Sequence, residues 1–337
     1  MHPTLGTFLH AAGLALVSVV MLLCSLWGAL ALWFRISDER ALKALSAASW
    51  AAFGAGALLA AWRGHAAAGV LAQALAMAVL LTWWLRLRPT HAAQWADELA
   101  QLTTGVVEGN RVTIHNVRNF EWRTSADYTP AWETRTYDLD ALRSVDMIMS
   151  YWRGPAIAHM VVSFGFRDGA QVAFSVEIRR KKNQQFSEIG GFFKEFELGI
   201  IAADELDVIR LRTNVRGERV HLYRLQIPPA AKRSLFLGYV GEANALAARP
   251  RFYNTITVNC TTLVYQMMQR IVGRLPLSYR LLFSGYMPEY VYRVGGLDNA
   301  HSLEELRERG YISERAKQCT RTQDFSRRIR DGICDSR

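Results

Sequence analysis

The hydrophobic and polar positions divide the chain at about residue 88. No charged side chain occurs in residues 4–34, and the apolar run at residues 9–34 exceeds the roughly 20 residues a helix needs to cross hydrocarbon. Residues 44–62 and 66–85 are two further uncharged stretches separated only by Arg63, Gly64 and His65, which predicts a tight helical hairpin after the first span. The first run is too long for a signal-peptide core and carries no convincing small-residue cleavage site, so it is expected to be retained. Small residues at Gly54, Gly56 and Gly69 would let the helices approach closely. Trp50, Trp62, Trp83 and Trp84 suit membrane interfaces.

Beyond residue 88 the periodicity changes. Residues 89–101 read as a polar helical connector within a linking segment, 89–110, that leads to a soluble domain over 111–337. Alternating β-branched and aromatic positions predict strands at 111–120, 133–139, 144–152, 206–213 and 220–225, and helical spacing predicts helices at 229–246 and 263–271. The hairpin formed by 157–166 and 170–178 has a definable register. A two-residue loop at Asp168-Gly169 would set the apolar sides of the two strands on different faces. A three-residue loop with Gly169 left-handed pairs Phe166 with Ala170 and makes both faces consistent. Met160, Val162, Phe164, Phe166, Val172, Phe174, Val176 and Ile178 then face a core. The other face carries small residues and one ionisable pair, His159 opposite Glu177. The fold class expected is α+β, with N-terminal transmembrane helices followed by an antiparallel sheet and helices.

Composition narrows the function. The net charge is +10, but a nucleic-acid surface would need a denser basic stripe than the single run Arg179, Arg180, Lys181 and Lys182, so no nucleic-acid partner is expected. That run reads either as a solvated strand end or as a contact for anionic lipid head groups. The four cysteines lack zinc spacing and His65, His91, His115 and His221 form no ligand set, so neither metal nor cofactor is expected. Orientation is contested between two signals. Arg35, Arg40, Lys43, Arg86 and Arg88 lie on the domain's side of three spans and only Arg63 opposes them, which favours a cytoplasmic domain. Cys319 and Cys334 would form a disulfide in an oxidising compartment, or remain two unpaired thiols.

Asn259 is a good N-cap, so Cys260 falls in a first helical turn, where free backbone N–H groups and the helix dipole favour a thiolate; Asn259 and Thr261 are candidate donors to a developing oxyanion. Cys260, His159 and Glu177 have the residue types of a nucleophile, a base and its orienting carboxylate. The plainer readings are a packed cysteine and a surface cross-strand polar pair.

Several blocks in order carry a resemblance: SFGFRDG at 163–169, SVEIRR at 175–180, ADELDVIRLRTN at 203–214, FYNTITVNCTT at 252–262, SGY at 284–286 and DFSRRIR at 324–330. Over roughly residues 90–335 the chain resembles the Lnb N-terminal periplasmic domain family; Leu206 departs from its pattern, away from the three residues above. The resemblance implies a permuted, NlpC-type papain-like domain facing the periplasm of the bacterial inner membrane. It also implies catalytic roles for Cys260, His159 and Glu177, as in a relative that acylates lipoproteins. Three functions compete: acyl transfer through a Cys260 thioester with membrane lipid as donor and lipoproteins as acceptors, a cysteine amidase or peptidase of the envelope, and a catalytically silent binding module. Oligomeric state is not specified by the sequence.

Overall fold

The computed structural model describes residues 5–319 and 324–333. The chain forms two compact units, Met1–Pro89 with Ser187–Glu195, and Thr90–Phe186 with Phe196–Arg337. In the first, α1 (Leu5–Arg35) precedes α2 (Arg40–Ala60) and α3 (Ala66–Arg86), the last two joined by a π-helical turn at Ala61–His65. Two apolar helical runs, Ala11–Arg35 and Arg40–Arg86, are long enough to cross a membrane; Gly64, at φ +93°, folds the second run back on itself. The helices meet at small residues, as expected where hydrocarbon removes the hydrophobic drive between helices. A Cβ on Gly69 would lie 2.4 Å from the Ala57 carbonyl oxygen, and one on Gly54 would lie 2.1 Å from Ser25 Oγ. Gly56 makes no such contact. Trp50 lies midway along α2 against Gly28 rather than at an interface, because Gly28 leaves a notch its indole fills. Trp62 Nε1 donates to Ser18 Oγ at 3.0 Å, while Leu16, Leu23, Leu71 and Val79 point outward.

The second unit is α+β. Its strands are β1 (Thr104–Glu108), β2 (Arg111–Arg118), β3 (Glu121–Trp122), β4 (Tyr128–Thr129), β5 (Trp132–Asp138), β6 (Leu142–Arg153), β7 (Ile157–Phe166), β8 (Gln171–Arg179), β9 (Glu197–Ala203) and β10 (Arg219–Arg224). Its helices are α4 (Glu205–Arg210), α5 (Pro229–Ala248), α6 (Cys260–Val272), α7 (Met287–Arg293), α8 (Leu303–Gly310), α9 (Ser313–Gln318) and α10 (Phe325–Arg328). The main sheet runs β1-β2-β9-β8-β7-β6-β10 with β5 also on β2, and is antiparallel except where β2 meets β9. β3 and β4 form a separate two-stranded sheet.

Each face of the main sheet is buried. On one, Phe164, Phe166 and Phe174 surround Phe236 of α5 edge-on, within a core that includes Leu263 and Met267 of α6. Burial of each such aromatic contributes about 1.5–3 kcal/mol. On the other, Val161 and Ala173 pack with Val208 of α4, Ala316 of α9, and Phe325 and Ile329 of the tail. The small residues of that face therefore admit helices, and Ile178 is only partly buried.

Two expectations are corrected. Residues 206–213 are helical: Asp204 accepts from the Leu206 amide as N-cap, and the turns of α4 and the π-helical Leu211–Val215 send successive acids to different buried partners. Asp207 accepts from Arg118 Nε and Nη2, the Phe120 amide and Trp122 Nε1, each at 2.8 Å, so its buried charge is paired and hydrogen-bonded. The connector is largely irregular, with a 3₁₀ turn at Asp97–Leu99. Its carbonyls are diverted from helical bonding: Arg118 donates to Glu98, and Arg179 to Leu99 and Ala100.

A candidate thiolate site where two strands part

The hairpin adopts the three-residue loop. Gly169 has φ +89°, the Phe166 amide donates to the Ala170 carbonyl at 3.0 Å, and Val161 pairs with Ser175. The β7–β8 ladder ends at that pair, although β8 continues on β9 as far as Arg179↔Glu197 and β7 on β6 to Ile157. The strands thus separate where His159 and Glu177 stand. The Met160 amide, released from the ladder, supports the Cys260 sulfur.

Cys260 opens α6. Asn259 caps the helix by accepting from the Thr261 and Thr262 amides at 2.9 Å, and Thr262 Oγ1 accepts from the Asn259 amide in return. Upstream, Asn254 Oδ1 accepts from the Ile256 and Thr257 amides, tightening the turn that delivers the cysteine. Asn259 Nδ2 donates to the Thr255 carbonyl and Thr261 Oγ1 to the Leu281 carbonyl. Both side chains expected as oxyanion donors are therefore engaged in positioning. The Cys260 amide, first in the helix, is the main-chain donor that points along the dipole.

His159 Nε2 lies 2.7 Å from Ser175 Oγ and 3.3 Å from Glu177 Oε1, and Ser175 donates to the same carboxylate oxygen at 2.6 Å. Arg212 Nη2 approaches Glu177 at 3.4 Å. Burial alone would suppress the imidazolium, but the Glu177 charge and the hydrogen bonds that His159 makes to Cys260 and Glu177 outweigh both it and the Arg212 charge, raising His159 to about 9. For Cys260, burial opposes ionisation, and the hydrogen bond and charge of His159 with the Met160 amide overcome it, holding the thiol below its ordinary range. For Glu177, burial again opposes the charge; His159, Arg212 and Ser175 hold the carboxyl well below the usual range. Tyr239 and Tyr253 are driven upward by burial and the neighbouring thiolate, so both stay protonated.

The loop after α6 locks onto the start of β7. Ser284 Oγ accepts from the Ala158 amide at 3.0 Å and donates to its carbonyl at 2.6 Å, while a Cβ on Gly285 would lie 2.0 Å from the Pro155 carbonyl oxygen. Ile157, Leu282 and Phe283 stay exposed on these segments. Sequence reasoning did not single out Ser175 or Arg212 as site residues. Ser175 was visible beside Glu177 on the same strand face, whereas Arg212 became accessible only when its segment proved helical.

The basic run behaves differently from its sequence. Arg179 is buried, stacked on Trp95 with its guanidinium 4.2 Å from the ring, and Arg180 bonds Glu98. Lys181 lies in a bridge to Trp95, and Lys182 is exposed with its Nζ 3.9 Å from Asp97. Arg179 is thus a clamp for the connector rather than a head-group ligand. Cys319 is a free thiol donating to the Arg315 carbonyl at 3.1 Å, and Cys334 lies outside the described residues. Among the described residues no group of three His, Cys, Asp or Glu side chains is placed to hold a metal ion.

No curated protein and no solved structure matches the chain. Residues 128–285 match the family model of the Lnb N-terminal periplasmic domain, a segment that contains His159, Glu177 and Cys260 and ends on the Ser284-Gly285 lock. Through that segment the chain is similar to the Lnb N-terminal periplasmic domain family.

Proposed function

We propose that the chain is a thiol-dependent acyltransferase of the bacterial inner membrane, its soluble domain in the periplasm, taking an acyl group from a membrane lipid. The observation that carries this reading is the Cys260–His159 pair at the start of α6, with Glu177 and Ser175 fixing the imidazole. Cys260 sulfur attacks the ester carbonyl carbon; the oxyanion is received at the Cys260 amide; His159, through Nδ1, gives its proton to the departing alkoxide as the carbon–oxygen bond breaks. An amine then attacks the thioester, His159 takes the amine proton, and the thiolate is restored. Lipid as donor is supported by the apolar spans of the same chain and by exposed Leu282 and Phe283 beside the Ser284 lock. The acceptor in this proposal is the terminal amine of a lipoprotein, as the resemblance implies.

The test is mass spectrometry of full-length protein incubated with phospholipid vesicles and trapped by acid. An acyl increment on the Cys260 peptide, lost in Cys260→Ala and reduced at least about a thousandfold in rate in His159→Ala, is expected. Cleavage of envelope peptides without any acyl increment would replace the proposal with an amidase or peptidase. Neither activity would leave a binding module.

A further inference from the structure

The segment Ser187–Glu195, inserted between β8 and β9, belongs to the helical unit rather than to the domain whose strands it connects. Its anchor is Phe193, with ring centroids 5.7 Å from Phe34, 6.3 Å from Trp84 and 6.3 Å from Trp27. Trp27 precedes the last residue of α1, Arg35, by eight positions, or about 12 Å along the helix. Phe193 therefore packs among rings carried by the last turns of α1 and α3, on the apolar side of the terminal charges Arg35 and Arg86.

Three further features suit a lipid boundary. Backbone donors there need internal partners, and the loop supplies them: the Gly191 amide donates to Ser187, Phe192 to Ile189, and Phe193 and Glu195 to Gly190, while the Gly190 amide donates to Ser187 Oγ. Ile189 and Phe192 nevertheless remain exposed beside the buried Phe193. Lys194 Nζ donates to the Trp84 carbonyl at 2.8 Å, lies 4.8 Å from that ring's centroid, and shares its field with Arg35 and Arg88, a cationic cluster of the kind that phosphate head groups neutralise.

We propose that Ser187–Glu195 is a membrane wedge that seats Ile189 and Phe192 at the boundary of head groups and acyl chains, with Lys194, Arg35 and Arg88 at the phosphate level. The wedge rests on the membrane-spanning reading of the helices and is independent of the chemistry at Cys260. The test places p-benzoylphenylalanine at Ile189, at Phe192 and, as a mid-span reference, at the outward-facing Leu75, in full-length protein in nanodiscs of phosphatidylethanolamine and phosphatidylglycerol. Irradiation is expected to add one phospholipid mass at all three positions. Lipid adducts at Leu75 but not at both loop positions overturn the wedge, as do adducts at the loop to a second protein chain only. Absence of lipid at Leu75 itself overturns the membrane-spanning reading and the wedge with it.

Discussion

At the scale of single residues, the site is governed by charges that compete for Glu177. Arg212 and His159 both approach it, and Arg212 holds the His159 titration lower than the carboxylate alone would. The imidazolium is needed as an acid, so turnover is expected to persist through neutral pH and to decline as pH rises through about 9, where His159 loses its proton. On the acid side it declines as the thiolate gains one. Arg212→Gln removes the opposing positive charge, so the alkaline limb should move to higher pH; a limb that stays in place or moves down would show that Arg212 does not act on the pair. Alkylation of Cys260 by iodoacetamide reads the thiolate independently of any substrate, and Glu177→Gln should leave it slower because the imidazolium loses its counter-charge.

Among the elements, the loop that closes on β7 is held by fit as much as by hydrogen bonds. Gly285→Ala puts a methyl group 2.0 Å from the Pro155 carbonyl oxygen, which neither backbone can yield cheaply. The variant is expected to keep the domain folded, by circular dichroism, while losing most acylation of Cys260, since Ala158 next to His159 depends on the Ser284 lock. Retention of full activity would show that the loop does not order the site. The same elements show what sequence can convey. Register was readable because a slip of one residue would have set Phe164 and Phe174 on opposite faces of the sheet, and the Asn259 cap was readable because its partners are local. Residues 206–213 were mistaken for a strand because Asp207 looks like a solvent-facing position until Arg118, distant in the chain, is brought to it. β9 went unread for a related reason. Its apolar run is buried on both faces, so it shows no alternation.

For the whole molecule, three helices that each crossed a bilayer would put residue 5 and the domain on opposite sides of it, and the basic residues near the domain's side run against a periplasmic position. The family description names a periplasmic domain. A reporter active only outside the cytoplasm, fused after Arg337, is therefore expected to give signal. A cytoplasmic reporter giving signal there instead would reverse the placement and leave the charge pattern as the better guide.

Arg330, unlike the exposed Arg327 and Arg328, is largely buried, donating to Asp146 at 2.8 Å and to Glu205 at 2.5 Å and 2.8 Å, the carboxylates that the sheet and α4 place under the tail. Those two acids are synthesised long before their counter-ion. They have no complete partner set until residue 330 is available, and a buried carboxylate lacking its partner costs about 3–5 kcal/mol. The domain's native state thus becomes accessible only once a segment 184 positions downstream of Asp146 has docked, so the tail completes the fold rather than merely covering it.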